Sequence, residues 1–189
     1  MSDKEKILSR IRQLGPQGSP MPEIPVFRTS DLARFEQFES SLKQAKARIL
    51  ERPDGSLAAF VSREFPGRLW SRVEEVPGDP VLMAEREPAK LDKVEVALIR
   101  AEFGVAENGA MWIREEDLAM PVVPFIAQHL VVLLDRRDLV ADMHAAYARI
   151  RMGASPFGVF IAGPSKTADI EQSMVIGAHG PLGLTVLLV

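Results

Sequence analysis

The residues best placed to do chemistry lie in Gly163-Pro164-Ser165-Lys166-Thr167-Ala168-Asp169-Ile170-Glu171, where an apolar run empties through a glycine turn into a hydroxyl-rich stretch. If that stretch opens a helix, its free amides and dipole favour a bound anion. Gly163, Ser165, Lys166, Thr167 and Asp169 are therefore candidate ligand-binding residues for a small phosphate or carboxylate. The competing reading is local: Ser165 or Thr167 caps the helix, a contribution of about 1 kcal/mol, and Asp169 and Glu171 complement its dipole. Those two acids also weaken the attraction for a highly charged phosphate. The Gly-Lys-Ser/Thr ending of a nucleotide-binding P-loop is absent, which disfavours nucleotide hydrolysis.

A second segment, Ile176-Gly177-Ala178-His179-Gly180-Pro181-Leu182-Gly183, carries one of only three histidines. Gly177 and Gly180 would let a backbone or ligand approach closely. His179 could act as general acid or base near neutral pH, or could pin the loop through a backbone carbonyl. Glu107, just before Asn108-Gly109, is the third candidate, as nucleophile or base, with a solvent-facing turn acid as the alternative. His129 reads as the start of a buried strand and His144 as a surface or packing position on a helix. Three scattered histidines without ligand spacing make no metal site, and the Arg136-Arg137 and Lys90 to Lys93 clusters are interrupted by acids.

Those segments need elements to hold them. Ser2 and Glu5 have capping-box spacing ahead of Ile7, Ile11 and Leu14, which predicts a short amphipathic helix. Gly15 to Pro25 is rich in Gly, Pro and Ser and reads as a connector, so residues 1–25 form an extension and residues 26–189 the domain. Leu32, Phe35, Phe38, Leu42, Ala45 and Ile49 mark a long helix. Leu57 to Phe65 predicts a second helix and Leu69 to Val73 a short strand. Val94 to Ile99 and Phe103 to Ala106 read as strands, the latter turning through Asn108-Gly109 into Ala110 to Ile113; a two-residue turn there needs positive φ at both residues. His129 to Leu134 is a strand buried on both faces, after which Asp138 opens a helix over Leu139 to Ile150. Gly158 to Ala162 then reads as strand, Thr167 to about Val175 as helix, and Leu184 to Val189 as a closing strand. The order implies an α/β fold with a mostly parallel central sheet, helices on both faces and a β-hairpin.

Composition bounds the partners. The chain has 189 residues, 47% hydrophobic, with formal net charge -3 and pI near 5.7, an unsuitable balance for coating nucleic acid. No stretch has the length of a membrane span, and the charged N-terminus lacks a secretory signal's apolar core; a cytoplasmic location is the expectation. With no cysteine, this chain acting alone holds no disulfide, thiolate zinc site or cysteine-ligated iron-sulfur cluster.

Gly163 to Glu171 followed by Gly177-Ala178-His179-Gly180-Pro181, with Ala101-Glu102-Phe103-Gly104-Val105-Ala106-Glu107-Asn108-Gly109 upstream, resembles the lactate utilization protein C family (the LUD domain) over about Val94 to Val189. Asn108 departs from the Thr that many relatives carry. The resemblance implies the fold shared by glucosamine-phosphate deaminases, ribose-phosphate isomerases and CoA transferases. It also implies a non-redox part in oxidising L-lactate to pyruvate, with iron-sulfur clusters in partner proteins and no cofactor in this chain. The alternative is a free-standing enzyme or sensor for a small phosphorylated or CoA-linked carboxylate, with Glu107 and His179 in the catalytic roles.

Overall fold

The computed structural model describes residues 2–15, 22–23, 30–150, 157–170, 173–177 and 179–189. Most of the anticipated connector, the domain start at Val26, and Glu171 and Ala178 lie outside the described residues. At the amino terminus the capping box closes. Ser2 N–H donates to Glu5 Oε2 at 2.7 Å and Glu5 N–H to Ser2 Oγ at 3.3 Å, opening α1 (Asp3–Gln13). No residue of α1 is buried.

Helix α2 (Asp31–Gln44) begins where Ser30 Oγ accepts the Ala33 N–H at 3.2 Å, and it buries Phe38 and Leu42. It stops five residues short of Ile49. Lys46 adopts φ 65°, Lys46 N–H donates to Lys43 O and Ala47 N–H to Leu42 O, the paired bonds of a Schellman stop. Ile49 is thereby released into β1 (Arg48–Glu51). There follow α3 (Leu57–Glu64), β2 (Leu69–Ser71), α4 (Pro80–Ala84) and, after a 3-10 helix (Pro88–Lys93), β3 (Val96–Arg100). The chain continues through β4 (Phe103–Val105), β5 (Met111–Arg114), α5 (Glu115–Leu118), α6 (Val123–Ile126), β6 (His129–Leu134), β7 (Leu139–Val140) and α7 (Met143–Arg149). It closes with β8 (Gly158–Ile161), β9 (Lys166–Ile170), β10 (Ser173–Ile176) and β11 (Gly183–Leu188).

The central sheet is wholly parallel, in the order β1-β11-β6-β3-β2. Alternation along the strands sorts its side chains into two cores. Ala97, Ile99, Leu130, Val132, Leu134, Val186 and Leu188 pack under α2 with Phe38 and Leu42. On the other face Val96, Leu98, Val131, Leu133 and Leu187 meet Leu57, Val61 and Phe65 at α3. Helices on both faces of a mostly parallel sheet are thus observed. A second sheet, β7-β4-β5-β8, grows out of the first: β3 and β6, neighbours in the central sheet, run on within a few residues into β4 and β7, which pair in parallel.

Four elements differ from the sequence reading. The turn between β4 and β5 spans Ala106 to Gly109, and Gly109 alone has positive φ, 70°. Ala106 N–H and Glu107 N–H donate to Val140 O and Ala141 O, so those residues follow β7 and cannot form a tight two-residue hairpin. The helix anticipated from Asp138 begins only at Met143, capped by Asp142, because Leu139 and Val140 pair with β4. Strand β8 joins the second sheet, antiparallel to β5. The helix anticipated over Thr167 to Val175 is instead the antiparallel pair β9 and β10. Thr167, Ile170, Val175 and Ile176 are β-branched and favour extended backbone. Ser165 O, which a helix cap would direct into the first turn, accepts the Gly177 N–H at 2.9 Å.

Candidate functional site

At the amino ends of the central strands, on the α3 face, lies a cleft of about 330 Å³ lined by Arg48, Glu64, Phe65, Pro66, Glu95, Val96, Gln128, His129 and Leu182. Its walls follow from strand register. His129, first residue of β6, is paired with Gly183, first of β11, and Thr185 is paired with Arg48, first of β1. Register partners on parallel strands point to the same face, so Arg48, Thr185 and His129 share the α3 side. Helix α3 ends there and supplies Phe65.

The His129 ring lies across β11 because Gly183 has no side chain: a Cβ there would come within 2.5 Å of His129 Nδ1. From this position His129 Nε2 is 2.9 Å from Thr185 Oγ1, and Thr185 is fully buried. Phe65 stacks on the ring with centroids 5.1 Å apart. Burial first, and the nearby Arg48 charge second, lower the imidazole pKa below its ordinary value, so the ring is neutral at pH 7. The acids at the rim are engaged: Glu95 Oε2 accepts the Arg68 N–H at 2.6 Å and Glu64 pairs with Arg63 at 3.6 Å. Arg48 is exposed and has no ion pair among the described residues. A guanidinium and a neutral imidazole held in place by a buried hydroxyl can together receive a small anion bearing a further polar group.

The loop before β11 closes one side of this cleft. Leu182 N–H donates to Gln128 O at 2.8 Å, Ser165 N–H donates to Pro181 O at 3.0 Å, and Gly180 packs on Ser165. The segments around Ser165 and Gly177 to Gly183, which carry the resemblance noted above, therefore meet each other beside His129. The profile of the LUD domain matches residues 27–189. The chain belongs to the LUD-domain family.

Among similar LUD-family proteins is a lactate utilization protein C from Shouchella clausii, 29% identical over 111 residues, covering 56% of this chain and 48% of that protein. Another, from Halalkalibacterium halodurans, is 24% identical over 139 residues, covering 70% and 56%. The uncharacterized protein YkgG of Escherichia coli is 31% identical over 130 residues, covering 65% and 55%. The chain spans about half the length of the curated relatives it matches. A DUF162 family protein from Deinococcus radiodurans superposes with a TM-score of 0.62 at 16% identity, over 86% of this chain and 99% of that one; this likeness supports the fold.

Within the LUD domain, the residues singled out from sequence fall into two places. Gly163, Ser165, Gly177, His179 and Gly180 lie in the two linked loops, and Lys166, Thr167 and Asp169 lie on β9. With no helix at Thr167, the argument for an anion held by a helix dipole falls. Gly163 has φ 78° and a Cβ there would strike the Ala45 carbonyl; Gly177 has φ 77° and a Cβ there would strike Leu182. Both glycines are required by close packing and left-handed backbone. His179 is exposed. Glu107 lies elsewhere, beyond β4, where its exposed carboxylate accepts the Met143 N–H at 3.0 Å at the start of α7. No hydrogen bond or ion pair joins Glu107 to His179 among the described residues.

Sequence reasoning passed over Arg48 and Thr185 and took His129 for a strand residue. His129 does begin a strand. What the sequence does carry is a histidine and a glycine each opening an apolar strand, with a threonine two residues after the glycine. That combination gains meaning only once β6 and β11 are adjacent and in register.

Proposed function

We propose that this LUD-domain chain is a non-redox component of L-lactate oxidation to pyruvate, acting with iron-sulfur partner proteins that carry the electrons. The observation that carries the reading is the family membership, together with similar proteins named for lactate utilization. The cleft beside the 163–171 and 177–181 motifs supports it, because an arginine and a neutral histidine suit a small hydroxy acid. The absence of cysteine from the 189 residues supports a division of labour in which thiolate-held clusters sit in other chains.

The test is deletion of the gene in its native host together with affinity capture of the tagged chain from lactate-grown cells. Deletion should abolish growth on L-lactate, the intact gene should restore it, and the captured material should contain iron-sulfur proteins. Unimpaired growth together with capture of the chain alone would overturn the proposal.

A further inference from the structure

We propose that the cleft at the amino edge of the central sheet binds a small carboxylate with a hydroxyl or oxo group at its 2-position, Arg48 holding the carboxylate and His129 reading the 2-oxygen. The carboxylate part stands on the cleft itself; the choice of 2-oxygen rests on the lactate reading above.

Arg48 is positioned by β1 beside Thr185 and lines the cleft from its edge. Its planar fork matches the two oxygens of a carboxylate. Glu64 lies 3.6 Å from Arg63 and Glu95 accepts the Arg68 backbone N–H, so neither carboxylate pairs with Arg48, whose guanidinium is left to meet an arriving anion; the charge the two acids keep favours a singly charged ligand over a multiply charged one.

His129 presents its second nitrogen. Nε2 faces the Thr185 hydroxyl, whereas Nδ1 has no hydrogen-bond partner among the described residues and is not fully enclosed. A hydroxyl can donate or accept, which leaves the neutral ring free to take either tautomer. When Nε2–H donates to Thr185, Nδ1 is an acceptor suited to a 2-hydroxyl. When Thr185 donates to Nε2, Nδ1–H is a donor suited to a 2-oxo group. The same heavy-atom arrangement thus accepts a hydroxy acid and its oxo counterpart. Phe65 and Leu182 offer apolar contact to a short alkyl group, which favours a compact monocarboxylate over a multiply charged one.

The experiment is titration calorimetry of the purified full chain with L-lactate, pyruvate and propionate, the last lacking the 2-oxygen. Lactate and pyruvate should bind about tenfold more tightly than propionate, the scale of one added hydrogen bond. Arg48→Met should weaken all three by about tenfold or more, the scale of a lost charge-assisted contact. His129→Leu should bring lactate and pyruvate down to the propionate value. Absence of saturable binding by all three acids, or binding unchanged in Arg48→Met, overturns the proposal. Arg48 is exposed, so its variant folds and decides the matter even where His129→Leu does not. Binding as stated by a chain dispensable for growth on lactate would keep the site and remove the pathway reading, whereas a chain required for growth that binds none of the acids would lose the site alone.

Discussion

Gly183→Ala probes the ring around which the cleft is built. An added Cβ would lie 2.5 Å from His129 Nδ1 and 2.7 Å from Cε1, so the imidazole must swing aside and give up Thr185 Oγ1. Thr185 is fully buried, and a buried polar group left without its partner costs about 1–3 kcal/mol. Crowding the ring against Phe65 adds about 1–3 kcal/mol of overpacking. Against this, alanine in a strand recovers about 0.5–1 kcal/mol of the entropy that glycine loses. The balance is a destabilisation of about 3 kcal/mol, read as a lower urea midpoint at unchanged slope. The three atoms nearest the added Cβ all belong to His129, so in a His129→Ala background the same substitution should cost nothing and recover the roughly 0.5–1 kcal/mol. A coupling of about 3.5–4 kcal/mol between positions 129 and 183 is therefore expected from the double-mutant cycle. Equal costs on the two backgrounds would refute the placement of the ring over Gly183.

Other perturbations test the neighbouring electrostatics and backbone. The His129 ring should titrate below its ordinary value, and Arg48→Met should raise the midpoint part of the way back, since burial is the larger cause and remains; NMR of the ring protons reads this, and an unmoved midpoint would place Arg48 out of range. Because the folded pKa is depressed, the neutral ring's contribution to stability is full above the ordinary histidine value and is lost as pH falls through the folded one. Asp135 accepts from Arg137 Nε at 3.0 Å and Nη2 at 2.7 Å, which lowers its pKa to about 2. Its contribution is present above 3.8 and is lost between there and about 2. In Arg137→Gln its carboxyl carbon should titrate at higher pH; a titration unchanged from the parent chain would refute the pairing. Lys46→Gly should stabilise the chain by about 1 kcal/mol, because it relieves the φ 65° stop of α2; a lower thermal midpoint would count against that stop.

How legible the fold was depended on how local its determinants are. The capping box at Ser2, α3 and the run His129 to Leu134 were readable because propensity, capping and burial agree over a few residues. The end of α2 was not, since the chain stops on a lysine in a left-handed turn where the usual signal is glycine. β9 and β10 were mistaken for a helix because Ser165 and Thr167 look like caps, and only the bonds from Ser165 to Pro181 and Gly177 reveal that its backbone is already committed. The two linked loops were picked out from composition, yet the residues that complete the cleft were not. Arg48 and Thr185 are 137 positions apart in the chain, and only the pairing of β1 with β11 brings them together.

The location of the cleft follows from the path of the chain. In open parallel sheets ligands ordinarily bind beyond the carboxyl ends of the strands, where connections diverge. Here β3 and β6 do not end at that edge. Ala101 N–H bonds Leu133 O and Gly104 N–H bonds Asp138 O, so the two strands stay together as they pass into β4 and β7, and Gly104 is pressed between Leu139, Phe38 and Leu134. Protein occupies the carboxyl side of the middle of the sheet. At the amino edge the reverse holds. β6 and β11 start abruptly on His129 and Gly183, their preceding loops are tied to each other at Gln128 and Leu182, and α3 ends above them. A chain that builds its second sheet from the outgoing strands leaves a crevice at the incoming ones, beside the linked loops at Ser165, Gln128 and Gly183.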